Sequence, residues 1–324
     1  MNTEKTRILV VGAGVNGSIC AASLHRADVD VKVLARGKRL EEIRNEGIII
    51  DDVLKKTKSV TRVRVTDQLG PEDVYDYILV VVRKNQVPDL LPTLARNGTP
   101  NIVFMLNNPS GPDEWCRALG KKRVLMGFVF GAGRKEGDII RGMANLSSGL
   151  AGRLWPSPFG ELDGTFTPRL KRLIAIFRRA GLSAAPSARI SDYLATHAAL
   201  VAVVAAFVMA RGYDHESLMR YSKADVFLLV DAMRQMLDVL RACGIRVTPA
   251  GLSVITVTPR WIQVAAIRAA LPSRFIEVGG IYHISQAPDE MAQLVNEVKA
   301  LVDRSGLSVA ATRKVLGMNP ADQK

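Results

Sequence analysis

Residues 7–17 read Arg-Ile-Leu-Val-Val-Gly-Ala-Gly-Val-Asn-Gly. Ile8–Val11 is a short, unbroken apolar run, the pattern of a strand buried on both faces in a parallel sheet. Gly12, Ala13, Gly14, Val15, Asn16 and Gly17 follow without a spacer, and Ser18–His25 has a helical composition. In the order strand, glycine turn, helix, each glycine has a task. Gly12 permits the tight turn, Gly14 lets the main chain approach a pyrophosphate, and Gly17 lets the helix pack closely on the strand. The unpaired amides of the helix's first turn then face the phosphates. The GxGxxG string alone is weak evidence; between a strand and a helix it predicts a dinucleotide site.

The next strand, Val29–Ala35, decides which dinucleotide. A ribose with a free 2′-hydroxyl meets an Asp or Glu at the end of that strand, whereas a 2′-phosphate needs a cation and no carboxylate. Here the strand runs into Ala35-Arg36-Gly37-Lys38-Arg39, and the acids Asp28 and Asp30 lie at its other end. Arg36 can fork onto a phosphate, with Lys38 or Arg39 adding charge. NADP(H) is therefore the expected cofactor.

Working outward, Leu40–Asn45 reads as a short helix, and Ile48–Ile50 with Val60–Val65 as a hairpin-type excursion. Tyr75–Val82 and Asn101–Leu106 read as further buried strands. The first ends in Arg83-Lys84-Asn85-Gln86 and the second in Asn107-Asn108-Pro109-Ser110-Gly111. Ligands of open α/β sheets lie beyond the carboxyl ends of strands, so these amide and cationic side chains are placed as a site. Arg123–Phe130 and Asp138–Met143 supply more strands. Phe166–Ala180 has helical spacing, with Leu170, Leu173, Ile174 and Phe177 on one face. Ser183–Arg189 reads as a last short strand and linker. Beyond residue 189, strand-like runs give way to helical patterns over 224–243, 260–271, 288–304 and 308–316. The expected fold is α/β, a Rossmann-type parallel-sheet domain over residues 1–188, followed by an all-α domain over 189–324.

Composition agrees. A chain of 324 residues favours two domains over one core. Three well-separated cysteines, Cys20, Cys116 and Cys243, fit a reducing compartment with no disulfide framework, and no ligand spacing for a metal is visible. The charged opening MNTEKTR has no secretory pattern, so a cytoplasmic protein is expected. The formal charge of +13 is dispersed and not interleaved with aromatics, which argues against nucleic acid and for steering of anionic small ligands. Tyr193–Ala210 carries no charge over 18 residues, but its clean apolar part is short. It is expected to be a buried helix at a subunit interface of a homodimer rather than a membrane span.

With these segments in view, the chain resembles the ketopantoate reductases (2-dehydropantoate 2-reductases). The resemblance rests on GAGVNG at 12–17, LARGKRLEEIRNEGIII at 34–50, VVVRKNQ at 80–86, LNNPSG at 106–111, GFVFGAGRKEGDI at 127–139 and RFIEVGGIY at 274–282. It implies hydride transfer from NADPH to the keto carbon of ketopantoate, giving pantoate, at a cleft between a Rossmann and a helical domain. Arg36 falls where the family's arginine holds the 2′-phosphate. Arg83 stands where the family has lysine, Asn108 where it has a site asparagine, and Glu277 where it has a glutamate near the substrate. Arg83 and Asn108 are thus expected to touch both cofactor and substrate, and Glu277 to touch the cofactor and serve in catalysis.

One departure bears on activity. The family's first C-terminal helix carries an aromatic residue, a lysine two positions on and an asparagine four later. With Tyr193 as the aromatic, those positions hold Ala195 and Ala199. Reducing a carbonyl needs a proton donor at the oxygen as negative charge grows there. Two residues are candidates, His197 and Lys84. His197 is rotated by about 200° from position 195 on an ideal helix, and a core histidine is its alternative reading. Two functions stand: an NADPH-dependent 2-keto-acid reductase, or an NADP(H)-binding relative without ketopantoate reductase activity.

Overall fold

The computed structural model describes residues 5–53, 55–129, 131–143, 156–210, 216, 219–273 and 276–317. Phe130, Arg274 and Phe275, which belong to the segments quoted above, lie outside the described residues. The chain forms two compact units, one of residues 1–106 with 112–190, the other of residues 107–111 with 191–324.

In the first unit β1 (Arg7–Val11) leads into α1 (Val15–Arg26), β2 (Asp30–Leu34) and α2 (Gly37–Glu46). The excursion that follows is β3 (Ile48–Asp52), β4 (Thr57–Thr61) and β5 (Arg64–Thr66). Next come β6 (Tyr77–Val80), α3 (Val87–Arg96), β7 (Ile102–Met105), α4 (Asp113–Leu119) and β8 (Val124–Gly127). The unit closes with β9 (Ala132–Glu136), β10 (Ile139–Met143), β11 (Ser157–Gly160), α5 (Pro168–Arg179) and β12 (Ala184–Pro186).

Eight strands make one sheet in the order β12-β11-β8-β7-β6-β1-β2-β5. Every pair is parallel except β8 with β11, which runs antiparallel. The chain leaves β1 toward β2, then crosses to β6 on β1's other side. The reversal of direction falls where the glycine loop leaves β1, the position that binds ligands in open sheets. Ile8, Leu9 and Val10 are fully buried, as are Ile78, Leu79 and Val80 of β6. Small residues on α1, with Cys20, Ala21 and Ala22 wholly buried, let that helix lie close against the sheet.

The excursion differs from its expected form. Ile48–Asp52 and Thr57–Thr61 do form an antiparallel hairpin, but the run expected over 60–65 is cut in two. Its second part, β5, joins the main sheet beside β2. The hairpin builds a separate four-stranded sheet with β10 and β9, so Asp138–Met143 serves that sheet and not the main one. Pairing across roughly ninety residues of sequence is a tertiary choice that local alternation does not encode.

At the far edge, Glu161 is buried and takes both Nε (2.8 Å) and Nη2 (2.5 Å) of Arg169. Such a two-point ion pair fixes direction as well as distance. Arg169's own carbonyl accepts the Tyr77 hydroxyl at 2.7 Å. Burial pushes that phenol up to about 12 and the Cys20 thiol also up to about 12. Both groups keep their protons in the fold to a higher pH than in the unfolded chain. Their contribution is complete below the unfolded values near 9 and 10, and is lost as pH rises through 12. Urea midpoints should therefore fall steadily above pH 9, and Tyr77→Phe with Cys20→Ala should flatten that decline.

In the second unit the helices are α6 (Ile190–Met209), α7 (Lys223–Ala242), α8 (Val254–Val257), α9 (Arg260–Ala270), α10 (Tyr282–Gln286), α11 (Pro288–Ser305) and α12 (Ala310–Val315). Ser222 caps α7: its hydroxyl accepts from Asp225 N at 3.1 Å while the Asp225 carboxylate accepts from Ser222 N at 3.0 Å. Among the described residues α6 is the one continuous helix long and apolar enough to cross a membrane, and 56% of its most apolar window is buried. Ala198, Ala199, Ala202, Val203 and Phe207 of α6 are core residues with Val230, Met236 and Leu240 of α7. Alanines at these buried positions let α6 pack closely against its neighbours.

Candidate functional site

The glycine loop has three different steric settings. Gly12 has φ +104°, and a Cβ there would sit 2.3 Å from the Val81 carbonyl oxygen. The loop is so close to the end of β6 that only glycine fits. A Cβ on Gly17 would lie 1.9 Å from the Gly12 carbonyl oxygen, so the start of α1 rests directly on the turn. Gly14 is the opposite case: a Cβ there meets nothing within 4 Å, and its φ is an ordinary −71°. Space beside main chain, at a helix start with unpaired amides, is what a pyrophosphate requires. Ala13 and Val15 contribute main chain to this turn. Asn16 adds a buried Oδ1 with no hydrogen-bond partner, an acceptor that a bound hydroxyl would satisfy. The loop therefore fits a dinucleotide.

At the end of β2, Arg36 is exposed and pairs with nothing among the described residues. No acid stands beside it in 35–39. Lys38 is 87% exposed and only loosely paired with Glu42 at 4.0 Å. Arg39, offered by the sequence as a further phosphate cation, is committed elsewhere. Its Nε donates to the Ala13 carbonyl at 3.1 Å and its Nη2 to the Ser18 hydroxyl at 3.2 Å. Nη1 donates to Glu42 at 3.0 Å and to the Asp138 carbonyl at 3.1 Å. Arg39 thus staples the glycine loop to α1, α2 and the turn between β9 and β10. Glu42 is held charged against its burial by Lys135 and Arg39. Arg39→Ala should cost about 2 kcal/mol in stability, read from urea unfolding, and should weaken NADH and NADPH equally. A loss confined to NADPH would instead place Arg39 on the 2′-phosphate.

Beyond β6, Arg83 and Lys84 are both half-buried, and the Arg83 amide donates to the Gln86 side chain at 3.2 Å. Arg83 opens the short 3₁₀ turn Lys84–Gln86. Beyond β7, Asn108 is 1% exposed; its Nδ2 donates to the Gly111 carbonyl at 2.7 Å, and its Oδ1 has no partner. In the second unit Asn107 is also buried, and its Oδ1 lies 3.1 Å from Nδ1 of His197. The His197 and Tyr193 rings lie parallel, within 7°, at 6.3 Å between centres. Ala195 and Ala199 are buried, whereas His197 is half-buried on another side of α6. Glu277 begins a π-helical turn, Glu277–Ile281, and accepts from the Tyr282 hydroxyl at 3.0 Å. A π turn aligns residues five apart, which is the spacing of this pair.

The sequence marked Asn107 as one of the polar residues past β7 but not its pairing with His197, and it showed neither the Tyr282 contact nor the tethering task of Arg39. The Tyr282 contact carried no signal, because its link to Glu277 depends on a local helix defect.

A parallel sheet reversing at a glycine loop, followed by a helical unit, defines the class of two-unit dinucleotide-binding proteins. Residues 8–149 match the family described as ketopantoate reductase PanE/ApbA. A 2-dehydropantoate 2-reductase of Archaeoglobus fulgidus is 29% identical over 184 residues, 55% of this chain and 55% of that protein. The chain thus spans about half the length of the curated relative it matches. Its fold is like that of D-mandelate dehydrogenase solved with NADH and anilino(oxo)acetate (TM-score 0.74, 13% identity, 96% of each chain). It is similarly like 2-dehydropantoate 2-reductase from Methylococcus capsulatus (TM-score 0.71, 19% identity, 96% of this chain and 94% of that one). At these identities the likeness is one of fold.

Proposed function

We propose that the protein is an NADPH-dependent reductase of a 2-keto acid, 2-dehydropantoate or a related substrate. The observation that carries the cofactor choice is Arg36, an exposed guanidinium at the end of β2 that is unpaired among the described residues, with no acid beside it in 35–39. When bound, the reduced nicotinamide supplies the hydride that goes to the keto carbon. The chain's own residues do the rest. Gly12–Gly17 hold the pyrophosphate through main-chain amides, and Arg36 takes the 2′-phosphate. Arg83 receives the substrate carboxylate in its fork. Asn108 offers a buried, unpaired amide oxygen to a donor on the ligand. His197 gives the proton to the substrate oxygen, which leaves a 2-hydroxy acid. Glu277, with Tyr282 donating to it, lines the substrate end.

The test is NADPH oxidation with a panel of 2-keto acids that includes 2-dehydropantoate and the keto acid of mandelate. Turnover with at least one is expected. Tight NADPH binding without any turnover would establish the second reading, a coenzyme-binding relative that is not a reductase; Ala195 and Ala199 favour that reading. Arg36→Ser should weaken NADPH by about 10- to 100-fold and leave NADH within a factor of two, measured by nicotinamide fluorescence. Equal losses for both coenzymes would remove the NADP(H) assignment.

A further inference from the structure

The contact between Asn107 and His197 has a consequence for which ring nitrogen titrates. A carboxamide oxygen accepts hydrogen bonds and cannot donate them. Oδ1 of Asn107 stands 3.1 Å from Nδ1 of His197, so the proton of the neutral ring sits on Nδ1. Nε2 is then the nitrogen that takes up the titrating proton and can give it back. Two features keep this arrangement in place. Asn107 is 3% exposed, so water does not compete freely for its amide, and the Tyr193 ring lies flat beside the imidazole one helical turn earlier. Burial raises the Tyr193 phenol, so it stays neutral and adds no charge beside the ring.

We propose that Asn107 is a positioning residue: it locks His197 in the Nδ1–H tautomer and thereby makes Nε2 the proton-donating atom. This deepens the reading of His197 as proton donor and rests on it for its catalytic consequence, though not for its geometry. In the reductive direction the imidazolium releases its Nε2 proton to the substrate oxygen as the hydride arrives at the carbon. The ring ends neutral with its remaining proton on Nδ1, held by Asn107. It regains a proton at Nε2 from solvent before the next turnover. The same bond also specifies a side for the donor, because a ring held at Nδ1 cannot present that nitrogen to the substrate.

The tautomer is read directly from ¹⁵N chemical shifts of the full-length protein labelled at histidine, with the His197 signal identified by its loss in His197→Gln. The wild-type ring is expected to show its proton on Nδ1 above its titration. Asn107→Leu, which keeps the volume and removes the acceptor, should shift the ring toward the Nε2–H form that free histidine prefers. It should lower kcat by about tenfold or more with KM little changed. Asn107→Asp restores an acceptor and should recover both the tautomer and most of kcat, which a purely structural role for the amide would not explain. An Nε2–H ring in the wild type, or an unchanged tautomer in Asn107→Leu, would overturn the proposal. If Asn107→Leu does not fold, the wild-type and Asn107→Asp spectra decide it alone. Neither spectrum needs coenzyme or substrate, so an absence of turnover with every keto acid would end the reductase reading while leaving the tautomer result standing.

Discussion

Alanine at Gly17 and alanine at Gly14 are expected to fail in different ways, although both sit in the same hexapeptide. At Gly17 the added methyl would stand 1.9 Å from a main-chain oxygen, an atom that cannot swing aside. The start of α1 must move away from the turn, so Gly17→Ala should lose about 1–3 kcal/mol of stability and, with it, most dinucleotide affinity. At Gly14 the methyl meets no protein atom, so the folded state should change by no more than about 1 kcal/mol, the cost of alanine at a helix N-cap. Dinucleotide affinity should nevertheless fall about tenfold or more, because the methyl fills space kept open for a phosphate. Urea unfolding beside fluorescence titration separates the two. If Gly14→Ala binds NADPH as tightly as the parent, the pyrophosphate does not lie against this loop.

The second large effect is expected at His197. His197→Phe preserves an aromatic ring beside Tyr193 and removes the titratable nitrogens. With a keto acid that the parent reduces, kcat should drop about 100- to 10,000-fold, the usual worth of a positioned proton donor. NADPH affinity should stay within a factor of about two, since in the proposed reading the phosphates lie at the glycine loop and Arg36. Lys84→Met is the companion variant. A larger loss there than at His197 would transfer the donor role to the lysine after β6.

The parts of this molecule that were readable in its sequence are those fixed by neighbours along the chain. The glycine loop is one: turn, strand and helix lie within twenty residues, and the close approach of Gly17 to the Gly12 carbonyl is local, although the space left at Gly12 is set by Val81. The helices of the second unit are another, since the spacing of Phe227, Val230, Met233, Leu237 and Leu240 marks an apolar stripe by itself, although Phe227 and Met233 are only partly buried. What could not be read depends on distant partners. Arg36 and Arg39 are both basic residues in one short segment, and nothing in the letters says that one stays unpaired while the other binds the Ala13 and Asp138 carbonyls. Asn107 and Asn108 are adjacent amides; Asn108 bonds locally to Gly111, and only the fold brings Asn107 to His197, ninety residues away. The hairpin over 48–61 looks complete on its own, yet it is half of a sheet whose other half comes from residues 132–143.

The short detour at residues 107–111 limits how the gene can be divided. These five residues follow a strand of the first unit, count with the helical unit, and hand the chain back before α4. A stop codon after Ile190 would therefore yield a fragment whose Asn107 has lost its histidine, and the complementary fragment from Ser191 would carry a histidine without its amide. Studying the helical half in isolation calls for a circular permutant or a grafted pentapeptide rather than a simple truncation.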